Sequence, residues 1–115
     1  MFEDELFLEA INYWDMQRLY QQIEDAKPMQ LDTKQLKSLE KAILRGFLCG
    51  YGPIQIASNF PSNVQELVVL YCWDVYQYVK NVIDEGQGPV KSYIDIPYLL
   101  EAAGYRQNKN YQLTR

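Results

Sequence analysis

Apolar positions Leu6, Phe7, Ala10, Ile11, Trp14, Leu19 and Ile23 recur at three- and four-residue steps, which predicts a first helix over residues 3–25. Glu3, Asp4 and Glu5 fall in its first turn, where the partial positive charge of a helix end favours anions. Lys27-Pro28 closes it, because the residue before a proline is pushed out of the α region. A second helix is expected to open at Asp32, with Gln35 reaching back to complete a capping box, and to bury Leu36, Leu39, Ile43 and Phe47. Gly50-Tyr51-Gly52-Pro53 ends that element. Pro53 has no amide donor to lose and so suits the first turn of a short third helix, about 54–59, with Ile54, Ile56 and Ala57 facing in. Phe60-Pro61 makes the next turn, and Ser62 with Gln65 is a second capping box.

The fourth helix, 63–84, is the most informative. Its polar residues Asn63, Glu66, Asp74, Gln77, Asn81 and Asp84 share one arc of roughly 80–100° at 100° per residue, and most of the remaining circumference is apolar. Such a helix is either packed on most sides as the centre of the domain or lends a flank to another chain. Gly86-Gln87-Gly88-Pro89 breaks the pattern, and residues 90–94 are β-branched enough for an extended stretch or a short wing. Asp95 can cap a last helix that has Pro97 in its early turn, runs to Ala103 and stops at Gly104. The expectation is an all-α fold of about five helices, a helix-turn-helix-like core around a long central helix, forming one domain over 1–104 with a loose polar tail over 105–115.

Residues 52–83 have the outline of a helix-turn-helix: a short helix with the small Ala57, a brief turn, then a longer helix seated by Val64 and Leu67. The stretch LDTKQLKSLEKAILRGFLCGYGPIQIASNF, followed by Trp73, Tyr78 and Val79, resembles the N-terminal helix-turn-helix domain of cyanobacterial vWA-MoxR-associated (vMAP) proteins. That domain is similar to the LuxR and sigma-region-4 type. The resemblance covers roughly residues 30–104. Tyr51-Gly52-Pro53 stands where the family has a Ser/Thr-Tyr-Glu-Glu run, and Phe60-Pro61 where it has a Gly-aliphatic turn. It implies a non-catalytic module of the sort that fronts larger signalling or NTPase proteins.

Composition narrows the chemistry. At 115 residues and 48% hydrophobic, the chain suits one domain with a real core. It has no histidine, which removes the commonest general base and most zinc sites. Cys49 and Cys72 are too few and too far apart for a disulfide scaffold, and read as small core residues suited to a reducing compartment. No Walker, dinucleotide or calcium-loop pattern occurs, so no catalytic, cofactor-binding or metal-ligating residue is nominated and an enzyme is not expected. The acidic start is unlike a signal peptide, and the longest apolar run, residues 67–73, is far short of the ~18–20 residues of a membrane span. A cytoplasmic protein that does not enter membranes is expected.

Charge and aromatics frame the function. Eleven Lys and Arg against fifteen Asp and Glu give a net charge of -4, a poor balance for holding phosphates. The outward residues of the fourth helix, Asn63, Glu66, Leu70, Asp74 and Gln77, include two carboxylates and no cation, so nucleic-acid binding is disfavoured there. The opposing feature is a basic stripe, Lys34, Lys37, Lys41 and Arg45, within roughly 80° on the second helix, with Lys80 and Arg106 as outlying cations. Residues 1–25 carry seven acids and one base, so the first helix is expected to lie near that stripe, within the fold or across a dimer, and shield it from nucleic acid. Of sixteen aromatics, ten of them Tyr, Tyr13, Trp14 and Tyr20 on the first helix and Tyr71, Trp73, Tyr76 and Tyr78 on the fourth exceed what a small bundle buries, which with Leu70 makes them interface candidates. The expected function is that of a regulatory or adaptor protein acting through protein contacts, with a protein partner and homodimerisation. The alternative is a helix-turn-helix transcriptional regulator gripping DNA through the basic stripe.

Overall fold

Six α-helices and three 3-10 turns appear among the residues described by a computed structural model, which are 2–27, 35–83 and 92–107. The helices are α1 (Ala10–Tyr13), α2 (Met16–Ala26), α3 (Ser38–Leu48), α4 (Pro53–Ala57), α5 (Gln65–Ile83) and α6 (Ile96–Ala102). The 3-10 turns are Phe2–Glu5, Ser62–Val64 and Tyr93–Asp95. No strand occurs among the described residues, and the fold is all-α as the periodicity requires.

The core is built around α5. Its residues Val68, Cys72, Val75, Val79 and Ile83 are buried on one stripe. Against that stripe pack α2, α3, α4 and α6, which bring Leu19, Ile23, Ile43, Phe47, Ile56 and Leu100, each at most 1% exposed. Burial of this apolar surface is the main favourable term, at about 25 cal/mol per Å² removed from water. α3 sits close to α4 because Gly46 leaves room: a Cβ there would stand 2.8 Å from Ile56 Cγ1. Gly50 and Gly104 end α3 and α6 at positive φ, and the next amides, of Tyr51 and Tyr105, turn back to the carbonyls of Gly46 and Leu100.

The predicted first helix is broken into pieces. Phe7 takes φ 57, and the chain breaks again at Trp14, whose backbone pairs with Arg106 in an isolated antiparallel bridge. Asp15 then caps α2 by accepting from the Arg18 amide at 3.3 Å. Periodicity did not reveal these breaks, because a buried side chain satisfies a helical pattern whether or not the backbone between is helical. α2 ends before Lys27, as the Lys27-Pro28 signal predicts.

The second predicted helix starts late, at Ser38 rather than Asp32. Asp32 lies outside the described residues. Leu36 donates its amide to the Glu24 carboxylate at 2.8 Å, which holds this strand of chain on α2, and Glu40 caps α3 by accepting the Lys37 amide at 2.8 Å. Ser62 and Gln65 do not form the expected reciprocal box, since Gln65 donates instead to the Phe60 carbonyl at 2.9 Å. Ile54 faces out, 74% exposed, while Ile56 and Ala57 face in.

Where a wing was expected, Tyr93–Asp95 forms a 3-10 turn, with the Ser92 hydroxyl accepting the Ile94 amide. Residues 84–91, including the Gly86–Pro89 breaker and the first part of the expected wing, lie outside the described residues. The expected tail begins with three residues that belong to the fold. Tyr105 is buried, its carbonyl takes the Asp15 amide at 2.8 Å, and Gln107 donates to the Tyr13 carbonyl at 2.6 Å.

Candidate protein-interaction surface

α5 is covered around most of its circumference, as the wide apolar arc predicts, with a buried stripe and half-buried flanks. One outward arc stays uncovered, where Leu67 is 50%, Leu70 65% and Trp73 62% exposed. Glu66, Asp74, Asn63 and Asn81 are exposed on the same outward side, as the helical arc predicts, and Gln77 is half-buried. The helix that a DNA reader would insert into the groove therefore presents carboxylates and large apolar groups. Beside it, Pro53, Val69, Cys72, Trp73, Tyr76 and Tyr93 line an open apolar groove of ≈ 390 Å³. Trp73 packs on Tyr76 at 5.4 Å between ring centroids, and Tyr93 stacks on Phe47 at 6.1 Å.

The nominated aromatics divide. Trp14 and Tyr20 are core residues, 3% and 8% exposed, and drop out as interface candidates. Tyr13 is exposed at its edge with the Arg106 guanidinium 5.6 Å from its ring centre. Tyr71 and Tyr78 are half-buried and each carries a lysine over its face, Lys37 at 5.5 Å and Lys27 at 4.8 Å. Leu70 stands fully outward, and half-buried Tyr76 supports Trp73. Trp73, counted in the aromatic excess, is exposed, and Leu67 was missed as an interface residue. The signal for Leu67 was available, since it lies within about 60° of the polar arc at 100° per residue.

The basic stripe does not survive as a stripe. Lys34 lies outside the described residues. Arg45 is 5% exposed and donates to the Glu3 carbonyl at 2.7 Å, the Leu6 carbonyl at 2.9 Å and the Tyr20 hydroxyl at 3.1 Å. A guanidinium spent on three internal acceptors cannot also clamp a phosphate. Half-buried Lys41 lies 5.1 Å over the Tyr20 ring. The acidic N-terminal turn does sit at this end of α3, held through its carbonyls. Burial raises the Tyr20 hydroxyl's pKa, against the lowering effect of Arg45.

A buried ion pair went unforeseen. Lys27 and Glu40 meet at 3.6 Å with side chains 4% and 5% exposed, and Lys27 also donates to the Gln35 carbonyl at 3.3 Å. This locks the start of α3 to the end of α2. Both thiols are pushed up to about 12, by burial at Cys72 and by burial and the neighbouring Glu9 carboxylate at Cys49. A nucleophile needs the opposite shift. Among the described residues no cluster of three or more Cys, Asp or Glu could hold a metal ion. No described helix is long and apolar enough to cross a membrane.

The fold and this surface define an all-α domain whose long helix keeps one flank uncovered. No protein-family model, curated protein or solved structure matches the chain.

Proposed function

We propose that this chain is a cytoplasmic, non-catalytic regulatory or adaptor protein of helix-turn-helix type, akin to the vMAP N-terminal domain, that works by protein–protein contact through the outward flank of α5. One observation carries the reading: Leu67, Leu70 and Trp73 stand exposed beside Glu66 and Asp74 on the helix that would otherwise read DNA. Large exposed apolar side chains rimmed by charge mark protein contact sites, whereas a duplex requires cations at that position. The use of Arg45 inside the fold weakens the DNA alternative further.

The test places a photo-crosslinking residue at Leu70 in the full chain and compares it with one at exposed Asn12. A discrete protein adduct specific to position 70, lost when Leu67 and Trp73 are changed to Ser, is the expected result. Equal adducts at both positions overturn the reading. So does retardation of a mixed-sequence duplex at low salt that Lys37→Gln and Lys41→Gln abolish.

A further inference from the structure

The uncovered flank of α5 has a pattern that suits one occupant. Exposed Glu66, Leu70 and Trp73 and half-buried Gln77 and Lys80 follow one another at steps of four, three, four and three, the spacing of a coiled-coil seam. Glu66 and Lys80 stand seven residues to either side of Trp73, about 21 Å apart along the helix at ~1.5 Å per residue. We propose that this stripe is the contact for a second copy of the chain, whose α5 lies antiparallel across it with Trp73 on the two-fold axis. This rests on the protein-contact reading above and names the partner.

The charge order selects both partner and direction. An antiparallel copy sets Glu66 of each chain against Lys80 of the other and brings Leu70 onto the Tyr76–Gln77 turn. A parallel copy sets Glu66 on Glu66 and Lys80 on Lys80. A two-fold contact must be self-complementary in this way. Among the described residues Lys80 also stands apart from the other cations. Arg18, Lys27, Lys37, Lys41 and Arg106 each lie over an aromatic ring, and Arg45 is bonded to Tyr20. Among the described residues Lys80 and Glu66 have neither a ring partner nor an ion pair.

Glu66 in the first turn and Lys80 in the last also suit the dipole of their own helix. The two roles separate under charge reversal. Sedimentation of the full chain over a concentration series is expected to show a dimer that Glu66→Lys or Lys80→Glu weakens about tenfold, since each reversal turns two symmetry-related attractions into repulsions. The double reversal is expected to recover association, although it opposes the helix dipole and lowers the melting temperature. With diamide added as the two-electron oxidant, the Trp73→Cys variant is expected to form a disulfide-linked dimer, and Asn81→Cys, off the axis, is not. A wild type that stays monomeric at high concentration overturns the inference, as does a double reversal no better than the single ones. If such a monomer still gives a specific adduct at position 70 with another protein, the second copy is excluded and the protein-contact reading stands.

Discussion

Replacing Lys27 by Met tests the buried pair that joins α2 to α3. The methionine keeps most of the apolar stem and removes the charge. At 3.6 Å, with an effective dielectric of about 20, the attraction lost is about 4–5 kcal/mol. The Glu40 carboxylate, 5% exposed, is then left with the Lys37 amide at 2.8 Å as its partner. Part of the Coulomb loss is offset because Lys27 no longer has to be desolvated. The expected net cost is about 3 kcal/mol, the lower end of what stranding one member of a buried pair costs. Glu40→Gln keeps an acceptor for the Lys37 amide and is expected to cost about 2 kcal/mol, leaving Lys27 with the Gln35 carbonyl and the Tyr78 face. The double variant has no stranded charge and is expected within about 1 kcal/mol of wild type, because well-packed neutral groups often replace a buried pair at little cost. Urea unfolding followed by circular dichroism measures all three, and the Lys27→Met melting temperature should fall by about 10 °C. If the two single costs simply add in the double variant, the pair is not coupled and this reasoning fails.

Gly46→Ala should destabilise by about 1–2 kcal/mol despite a helix-propensity gain of up to about 1 kcal/mol, because its methyl would meet Ile56 atoms at 2.8 and 2.9 Å. With Ile56→Ala also present those atoms are gone, and the sign should reverse; a shift of the urea midpoint in the same direction in both backgrounds would contradict the packing account. Stability should fall as pH rises above about 9, because the native state keeps thiol protons that the unfolded chain releases at its ordinary 9.0, with Cys49 and Cys72 holding theirs to about 12. Tyr20 and Tyr78, raised chiefly by burial, add to the loss above about pH 10. Urea midpoints between about pH 8 and 11 should decline, less steeply in Cys72→Ala, and a flat profile would show that the buried groups carry no such linkage.

Local signals settled much of this molecule. The 3.6-residue periodicity, Pro53 at a helix start and Gly50 and Gly104 at helix ends act through the backbone of their own neighbourhood, so α4, α5 and α6 and the all-α class were legible in the residues. The outward placement of Glu66 and Asp74 follows from the same angle counting. Packing between distant segments decided the rest. Tyr20 became core where Lys41 and Arg45 of α3 meet it and Trp14 where Arg106 pairs with it, while Leu67, Leu70 and Trp73 stayed exposed because no described element reaches that flank. Arg45 passed from a solvent-facing stripe to an internal clamp when the N-terminal turn offered it two carbonyls, and Lys27 found Glu40 thirteen residues further along the chain. A side chain's angle around its helix is a one-dimensional property. Whether that angle meets water, a ring or a carboxylate depends on which remote segment arrives there, and only the tertiary structure contains that.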